Sequence, residues 1–307
     1  MTQKPKPQIP SRSLKSNAPA EIGGEKAEQT FPKIKSSSLP EAPKGRLSRG
    51  QRGPGSSETA RQEESAGPLR LVRYLALAGV ASRRKAAKII KNGQVTVNGE
   101  TVLEPWVFVD PEKDTVTYRG KVIRPEKPVY ILLNKPKNTI CTVKDEKGRQ
   151  TIMDLLEGAP PVRLYPVGRL DRNTTGILLL TNDGELAQKL LHPASKVPRT
   201  YRLTTVKPMT SKVVEKLTEG IPLSDGVAKA DEAYLEDPYT LIITLHIGRK
   251  HIVKRMMEYL GYRVKALDRI AFGPITRKGV PRGKWRYLTP QEIGWLKMLP
   301  DPRKTAS

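Results

Sequence analysis

The stretch YPVGRLDRNTTGILLLTNDG, residues 165–184, indicates how the larger part of this chain is built. It contains an unbroken apolar run, Ile177–Leu180, which lies between turn residues. A short continuous apolar run of this kind is typical of a strand that is buried on both faces. The loop before it carries one carboxylate, Asp171, between Arg169 and Arg172. A loop held by a buried strand is a suitable scaffold for chemistry on a polyanion, although Asp is also an ordinary turn residue.

Apolar periodicity along the rest of the chain predicts an α+β fold. Strands that follow one another, with helices placed irregularly between them, favour a mixed, largely antiparallel sheet over regular βαβ repeats. A last helix begins at a predicted capping box, Thr289-Pro290-Gln291-Glu292. The other predicted strands and helices are Val129–Asn134, Gly176–Thr181, Arg199–Val206, Ala230–Leu235 and Tyr239–Ile247 for the strands, and Leu186–Leu191, Thr210–Glu219 and His251–Leu260 for the helices.

Composition divides the 307 residues into three parts. Residues 1–68 are rich in Pro and Ser and lack a periodic apolar pattern, so we expect a disordered basic tail. Residues 69–128 predict a small module of two helices and a small sheet, with Ser82 as an N-cap and Asn98-Gly99 as a hairpin turn. Residues 129–302 predict the larger α+β domain.

The charge of the chain limits its function. Fifty-five Lys and Arg against 31 Asp and Glu give a net charge of +24, which indicates a nucleic-acid partner. No apolar run is long enough to span a bilayer, so we expect no membrane contact. The single cysteine, Cys141, excludes an internal disulfide and favours the cytoplasm. Neither a zinc-ligand cluster nor a glycine-rich phosphate loop is present, so we expect no metal and no cofactor. We also expect a monomer.

The N-terminal module carries an unusual excess of basic residues. Between residues 69 and 99 the chain has seven basic residues and no acidic one, and five of the seven lie on the predicted second helix. A basic helix face without acidic neighbours favours contact with RNA phosphates over a merely solvated face. The five helix residues are Arg83, Arg84, Lys85, Lys88 and Lys91.

The stretch GRLDRNTTGILLLTNDG, residues 168–184, resembles the signature of the pseudouridine synthases that modify ribosomal RNA. The resemblance implies that Asp171 is the catalytic residue. It also implies that Tyr201 packs against the target base; without the resemblance, a tyrosine in a strand is more often a core residue. Lys135 and Arg169 are expected to contact phosphates near the cleft.

A second stretch, IGRKHIVKRMMEYLG at residues 247–261, resembles the family motif that places a basic residue beside the catalytic carboxylate. The resemblance implies that Lys254 is this residue, with Arg255 as the alternative. Neighbouring residues of a helix point in different directions, so only one of the two should enter the cleft. The stretch differs from the family pattern at Ile247 and Ile252, where members usually carry an acid and Gln or Glu.

The N-terminal module resembles the small RNA-binding module named after a small-subunit ribosomal protein, on the pattern LALAGVASRRKAAKIIKNGQVTVNG at residues 75–99. This resemblance implies docking on folded RNA through phosphates and shape. The chain is therefore interpreted as an enzyme that isomerises a uridine of ribosomal RNA, with a preference for the large subunit. The alternative is a non-catalytic RNA-binding ribosome assembly factor, which the two isoleucines favour. A DNA-binding regulator ranks last. No role is assigned to the three histidines.

Overall fold

The computed structural model describes residues 67–299. The tail predicted at residues 1–68 lies outside the described residues except for its last two positions. The end of the large domain, predicted at residue 302, also lies outside them.

Strands outnumber helices in the described part, and many strands follow one another directly. The strands are β1 (Leu69–Arg70), β2 (Val95–Val97), β3 (Glu100–Thr101), β4 (Phe108–Val109), β5 (Val116–Tyr118), β6 (Lys121–Val122), β7 (Tyr130–Lys135), β8 (Tyr165–Pro166), β9 (Thr175–Thr181), β10 (Arg199–Thr205), β11 (Ile221–Leu223), β12 (Gly226–Ala228), β13 (Glu232–Asp237), β14 (Thr240–Leu245), β15 (Val264–Phe272), β16 (Ile275–Thr276) and β17 (Trp285–Tyr287). The helices are α1 (Leu71–Leu77), α2 (Arg83–Lys91), α3 (Gly184–Leu191), α4 (Ser211–Glu219), α5 (Ile252–Tyr259) and α6 (Pro290–Met298).

The N-terminal module packs α1 and α2 with an antiparallel sheet in the order β3-β2-β5-β6. Ser82 caps α2, because its side-chain oxygen accepts a hydrogen bond from the backbone N–H of Lys85. Asn98 and Gly99 both have positive φ, 53° and 90°, and join β2 to β3 in the predicted hairpin. The predictions of this cap and this turn are confirmed.

The larger sheet runs in the order β13-β14-β10-β15-β9-β7-β17, with β8 paired to β9 and β16 to β15. Its pairs are antiparallel except that of β9 with β15, which is parallel. This arrangement confirms the predicted mixed, largely antiparallel sheet. The capping box at Thr289 and Glu292 is also present at the start of α6.

Strand β9 is buried along its whole length. Leu178 and Leu180 pack into one apolar cluster, whereas Ile177 and Leu179 pack into another. Alternate residues of a strand point to opposite faces, so β9 joins two cores across the sheet. This two-sided burial confirms the interpretation of the apolar run and explains why the preceding loop is held in place.

Strand β15 was not predicted from the sequence, although it lies in the middle of the sheet between β10 and β9. Its sequence, VKALDRIAF, places Lys265, Asp268 and Arg269 inside the strand and hides the apolar alternation. Tertiary contacts accommodate two of these charges. The Asp268 carboxylate accepts hydrogen bonds from Thr175 and Arg282, and Arg269 Nε donates to the Ile177 carbonyl.

The segment between the module and the larger domain is held by specific hydrogen bonds. Asn182 Oδ1 accepts from the Val129 backbone N–H at 2.7 Å, and its Nδ2 donates to the Lys127 carbonyl at 3.0 Å. The Glu126 N–H donates to the Leu77 carbonyl at the end of α1. Within residues 67–299, none of the helices has the length and apolar character needed to cross a bilayer.

Candidate active site

The loop that carries Asp171 is shaped by the way its following strand meets β15. Gly176 lies opposite Arg269 in the parallel pair and has φ of +106°. A Cβ at this position would collide with the backbone of Arg269, so only glycine allows the two strands to approach this closely. The Thr174 backbone N–H also donates to the Asp171 carbonyl, which closes the loop into a turn.

Lys135, at the end of β7, holds this loop from inside. Its side chain is 0% exposed, and its ammonium donates to the carbonyl oxygens of Pro136, Asp171, Arg172 and Thr174 at 2.8–3.2 Å. Burial lowers the pKa of Lys135. The prediction that Lys135 contacts phosphate is therefore wrong, because its charge is already surrounded by backbone carbonyls in the core.

Both carboxylate oxygens of Asp171 contact basic side chains of the segment at the start of α5. Lys254 Nζ lies 2.7 Å from Oδ2, and His251 Nε2 lies 3.1 Å from Oδ1. The Asp171 side chain remains 31% exposed. The carboxylate is therefore oriented from two sides while it stays accessible to a molecule from solvent.

Helix α5 separates its two neighbouring basic residues. Its apolar face, which includes Met256 and Met257, is buried in the core. Lys254 reaches Asp171, whereas the Arg255 guanidinium donates to both oxygens of Asp225, in the turn between β11 and β12. The structure does not bring Arg255 to Asp171, so it does not support Arg255 as the alternative cation; the guanidinium holds the pKa of Asp225 well below its usual range.

The two isoleucines that depart from the family pattern have apolar surroundings. Ile252 is buried in the same cluster as Met256, and Ile247 packs against that cluster. Polar contacts to the segment come instead from Arg249, whose guanidinium donates to the carbonyls of Gly226 and Val227 at 2.6 and 2.9 Å. The hairpin of β11 and β12 therefore fastens the start of α5 without the acid and the amide of the family pattern.

His251 was not identified from the sequence as a site residue. It precedes α5 with φ of 52°, a left-handed conformation that is uncommon for residues other than glycine. Its side chain makes no capping hydrogen bond to α5. A spacing of three residues places His251 and Lys254 on the same side of a helical turn, and this spacing was the available signal.

Tyr201 and Arg169 lie near the site in the fold but differ in their surroundings. Tyr201 is in β10, opposite Arg269 of β15, and is partly buried between two apolar clusters. Because β15 alone separates β10 from β9, the tyrosine and the start of β9 belong to the same region of the sheet. Arg169 is exposed in the loop before Asp171.

Helix α2 presents the five basic residues predicted to bind RNA. All five are exposed, and none forms an ion pair with an acidic residue of the part that the structure describes. Spacings of four and seven residues put Arg84, Lys88 and Lys91 on one stripe of the helix. Arg83 and Lys85 lie to either side of this stripe.

Comparison with known proteins identifies the family. The RNA pseudouridylate synthase family matches residues 129–259, and the S4 domain matches residues 69–116. The ribosomal large subunit pseudouridine synthase B of Bacillus subtilis is 42% identical over 244 residues, which cover 77% of this chain and 99% of the relative. An uncharacterized RNA pseudouridine synthase of Aquifex aeolicus is 45% identical over 233 residues, covering 74% and 93%.

A third relative is the dual-specificity RNA pseudouridine synthase RluF of Escherichia coli, 34% identical over 73% of this chain and 77% of the relative. Among solved structures, a pseudouridylate synthase matches with a TM-score of 0.55 and 31% identity, covering 74% of this chain and 99% of the other. The chain belongs to the RNA pseudouridylate synthase family. It is an RNA pseudouridine synthase with an N-terminal S4 domain.

Proposed function

We propose that this enzyme converts a specific uridine of large-subunit ribosomal RNA to pseudouridine, with Asp171 as the catalytic carboxylate. The observation that carries this proposal is the placement of Asp171, whose two oxygens face Lys254 and His251 and whose loop is wound around the buried Lys135. A relative named as a large-subunit enzyme, which aligns over 99% of its length, supports the choice of substrate.

The reaction exchanges one bond to the ribose for another. The bond from uracil N1 to ribose C1′ breaks, the base turns, and a bond forms from C5 to C1′. C5 loses a proton and N1 gains one, so the isomerisation consumes no second substrate. A carboxylate can serve as nucleophile or as proton acceptor in such a sequence. Lys254 and His251 contact the two oxygens of Asp171 and so hold the carboxylate in a defined orientation for either role.

The target base must leave the RNA stack before it reaches the carboxylate. Extrusion of a nucleotide costs a few kcal/mol and is easiest in loops and bulges. We assign Tyr201 to stack on the everted uracil, because an aromatic ring offers a flat apolar surface to a base. Its partial burial between two apolar clusters holds the ring in a defined orientation.

The S4 domain binds the RNA around the target uridine. The exposed cations of α2 neutralise phosphates, with the stripe of Arg84, Lys88 and Lys91 at the centre and Arg83 and Lys85 beside it. Arg169 contacts phosphate beside the catalytic loop. We propose that the enzyme acts as a monomer on ribosomal RNA or on a ribosome assembly intermediate in the cytoplasm.

The decisive experiment replaces Asp171 by Asn, which keeps the size of the side chain and removes its charge. We expect tritium release from 5-tritiated uridine in ribosomal RNA to fall by about 10,000-fold or more, with RNA affinity nearly unchanged. The matched control is Asp231→Asn, because Asp231 is also paired with a histidine, His246 at 2.6 Å, but lies just before the edge strand β13.

Retention of turnover in Asp171→Asn would refute the catalytic assignment. A wild-type protein that binds ribosomal RNA but releases no tritium from it would favour the alternative of a non-catalytic assembly factor. Mapping of pseudouridines in ribosomal RNA from a strain that lacks the gene would identify the position and the subunit.

A further inference from the structure

A pocket of about 290 Å³ lies between the S4 domain and the larger domain, away from Asp171. Both parts of the chain line it. The S4 domain contributes Arg73 of α1 and Arg83 at the start of α2, and the larger domain contributes Arg163, Tyr165 and Glu185. We propose that this pocket receives a phosphodiester of the RNA substrate, so that bound RNA itself bridges the two domains; the inference rests on the proposed function for the identity of that RNA.

The basic side chains of the pocket come from three separate elements. The Arg163 guanidinium stacks over the Tyr165 ring at 5.7 Å from its centroid, which holds the arginine in a defined position. Burial raises the pKa of Tyr165, while Arg163 and Arg83 oppose this rise. Arg83 of one domain and Tyr165 of the other line the same pocket.

Helix α2 adds a further preference for an anion. It has nine residues, and its positive end, capped by Ser82, lines the same pocket. Free N–H groups at a helix N-terminus favour negative charge close to them. Here the helix end acts together with three arginines, so the pocket is suited to a phosphate rather than to a neutral group.

Glu185 is the acidic residue of the pocket, and it contacts Arg73 at 2.7 Å. The Glu185 side chain is half exposed, so this ion pair contributes little to stability. The Arg73 Nε is buried and has no hydrogen-bond partner among the described residues. An incoming phosphate can compete with the Glu185 carboxylate for Arg73, because guanidinium groups bind phosphate with paired hydrogen bonds.

A segment of RNA fits these observations better than a free small anion does. Arg83 lies beside the stripe of Arg84, Lys88 and Lys91 and also lines the pocket, so the pocket adjoins the basic stripe. A backbone that tracks the stripe would enter the pocket at Arg83. The volume is at the lower end of that of small-molecule sites, which suits a single phosphate and its sugar.

The test measures binding of in vitro transcribed large-subunit ribosomal RNA as a function of salt, in the Asp171→Asn background. The double variant Arg83→Gln, Arg163→Gln should reduce the slope of log affinity against log salt by about 0.7–0.9, the loss of one phosphate contact. The matched control is the double variant Lys121→Gln, Lys212→Gln, which removes one exposed cation from each domain at positions outside the pocket. Its slope of log affinity against log salt should remain steeper than that of the pocket variant.

A second variant distinguishes an RNA-binding pocket from an ion pair that only holds the two domains together. Glu185→Gln removes the negative charge of Glu185 from the pocket. This variant should therefore bind RNA several-fold more tightly than the parent protein does. If the Arg73–Glu185 pair serves only to hold the domains together, this variant should bind RNA no better or more weakly. That result would overturn the proposal even if the arginine double variant were misfolded.

Inorganic phosphate and uridine monophosphate, titrated by calorimetry, test for a small-anion site. The assignment to RNA would be overturned if the double variant lost binding of phosphate or of uridine monophosphate while its RNA salt slope stayed equal to that of the parent. Because no turnover is measured, failure of the catalytic proposal for Asp171 would leave these binding results intact. An equal salt slope in the double variant and in its control would also refute the bridging role.

Discussion

Helices α2 and α5 are both short and basic, yet their charges meet different partners. On α2, the exposed cations have no ion-pair partner among residues 67–299. At α5, Lys254 contacts Asp171 and Arg255 contacts Asp225. Unpaired cations are available to a polyanion, whereas paired cations position a carboxylate or fasten an element. The same residue types are therefore proposed to bind RNA in one domain and to build the reacting site in the other.

The largest effect on stability is expected at Lys135, whose charge is completely buried. Lys135→Met should lower the free energy of unfolding by about 3 kcal/mol or more, because three carbonyl oxygens of the Asp171 loop and that of Pro136 lose their donor. Urea denaturation followed by circular dichroism measures the change. Lys137→Met, at an exposed position two residues later, is the control and should have little effect. Equal stability of the two variants would show that the buried ammonium does not hold the loop.

Lys254 and Arg255 are neighbours in α5, so their variants test whether a cation that contacts Asp171 differs in effect from one that contacts Asp225. Lys254→Met should reduce the rate of isomerisation by about 100-fold, since the carboxylate of Asp171 loses its closest donor. Arg255→Met removes an equal charge one residue away and should act mainly through the hairpin that it fastens at Asp225. Single-turnover rates measured at saturating RNA distinguish the two. A larger loss in Arg255→Met would reverse the assignment.

The unpaired cations of α2 should affect binding rather than chemistry. Arg84→Glu with Lys88→Glu should weaken RNA affinity by about tenfold and reduce the salt slope by about 0.7–0.9 for each lost phosphate contact. The single-turnover rate at saturating RNA should remain that of the parent. Lys212→Glu with Lys216→Glu on α4 makes the same change in net charge on another exposed helix face and is the control. If both double variants weaken binding equally, net charge rather than the α2 stripe accounts for the affinity.

The smallest effect is expected at His251. The His251 side chain is about half exposed, so its contact with Asp171 should contribute at most about 1 kcal/mol. His251→Asn should therefore slow the reaction by about fivefold. Single-turnover rates at saturating RNA measure this change. His246→Asn, which alters the other histidine–aspartate pair, should leave the rate unchanged. An unchanged rate in His251→Asn would exclude a role for His251.

Local patterns predicted much of the fold. The hairpin at Asn98-Gly99, the cap at Ser82 and the buried strand β9 depend on residues close together in the chain, so their patterns are visible in the sequence. Strand β15 was missed because its charged residues find their partners only across the sheet. A periodicity argument cannot see a partner that lies about 90 residues away, as Thr175 does from Asp268.

The candidate site shows the same division. The resemblance directed attention to Asp171, Tyr201 and Lys254, and the structure places Lys254 against Asp171. The roles of these residues remain proposals. The resemblance assigned Lys135 to phosphate, although burial among four carbonyls can satisfy an ammonium as well as phosphate does. His251 was overlooked because its partner lies 80 residues earlier in the chain.

The sequence by itself determined the excess of positive charge, the order of the two domains, the buried strand and the loop that carries Asp171, because each follows from composition or from residues a few positions apart. Only the tertiary structure decided which cations face a carboxylate, which face solvent and which one is enclosed by backbone. These outcomes depend on distances between atoms remote in the chain. Electrostatic and hydrogen-bond energies are governed by such distances and by burial, neither of which a linear pattern contains.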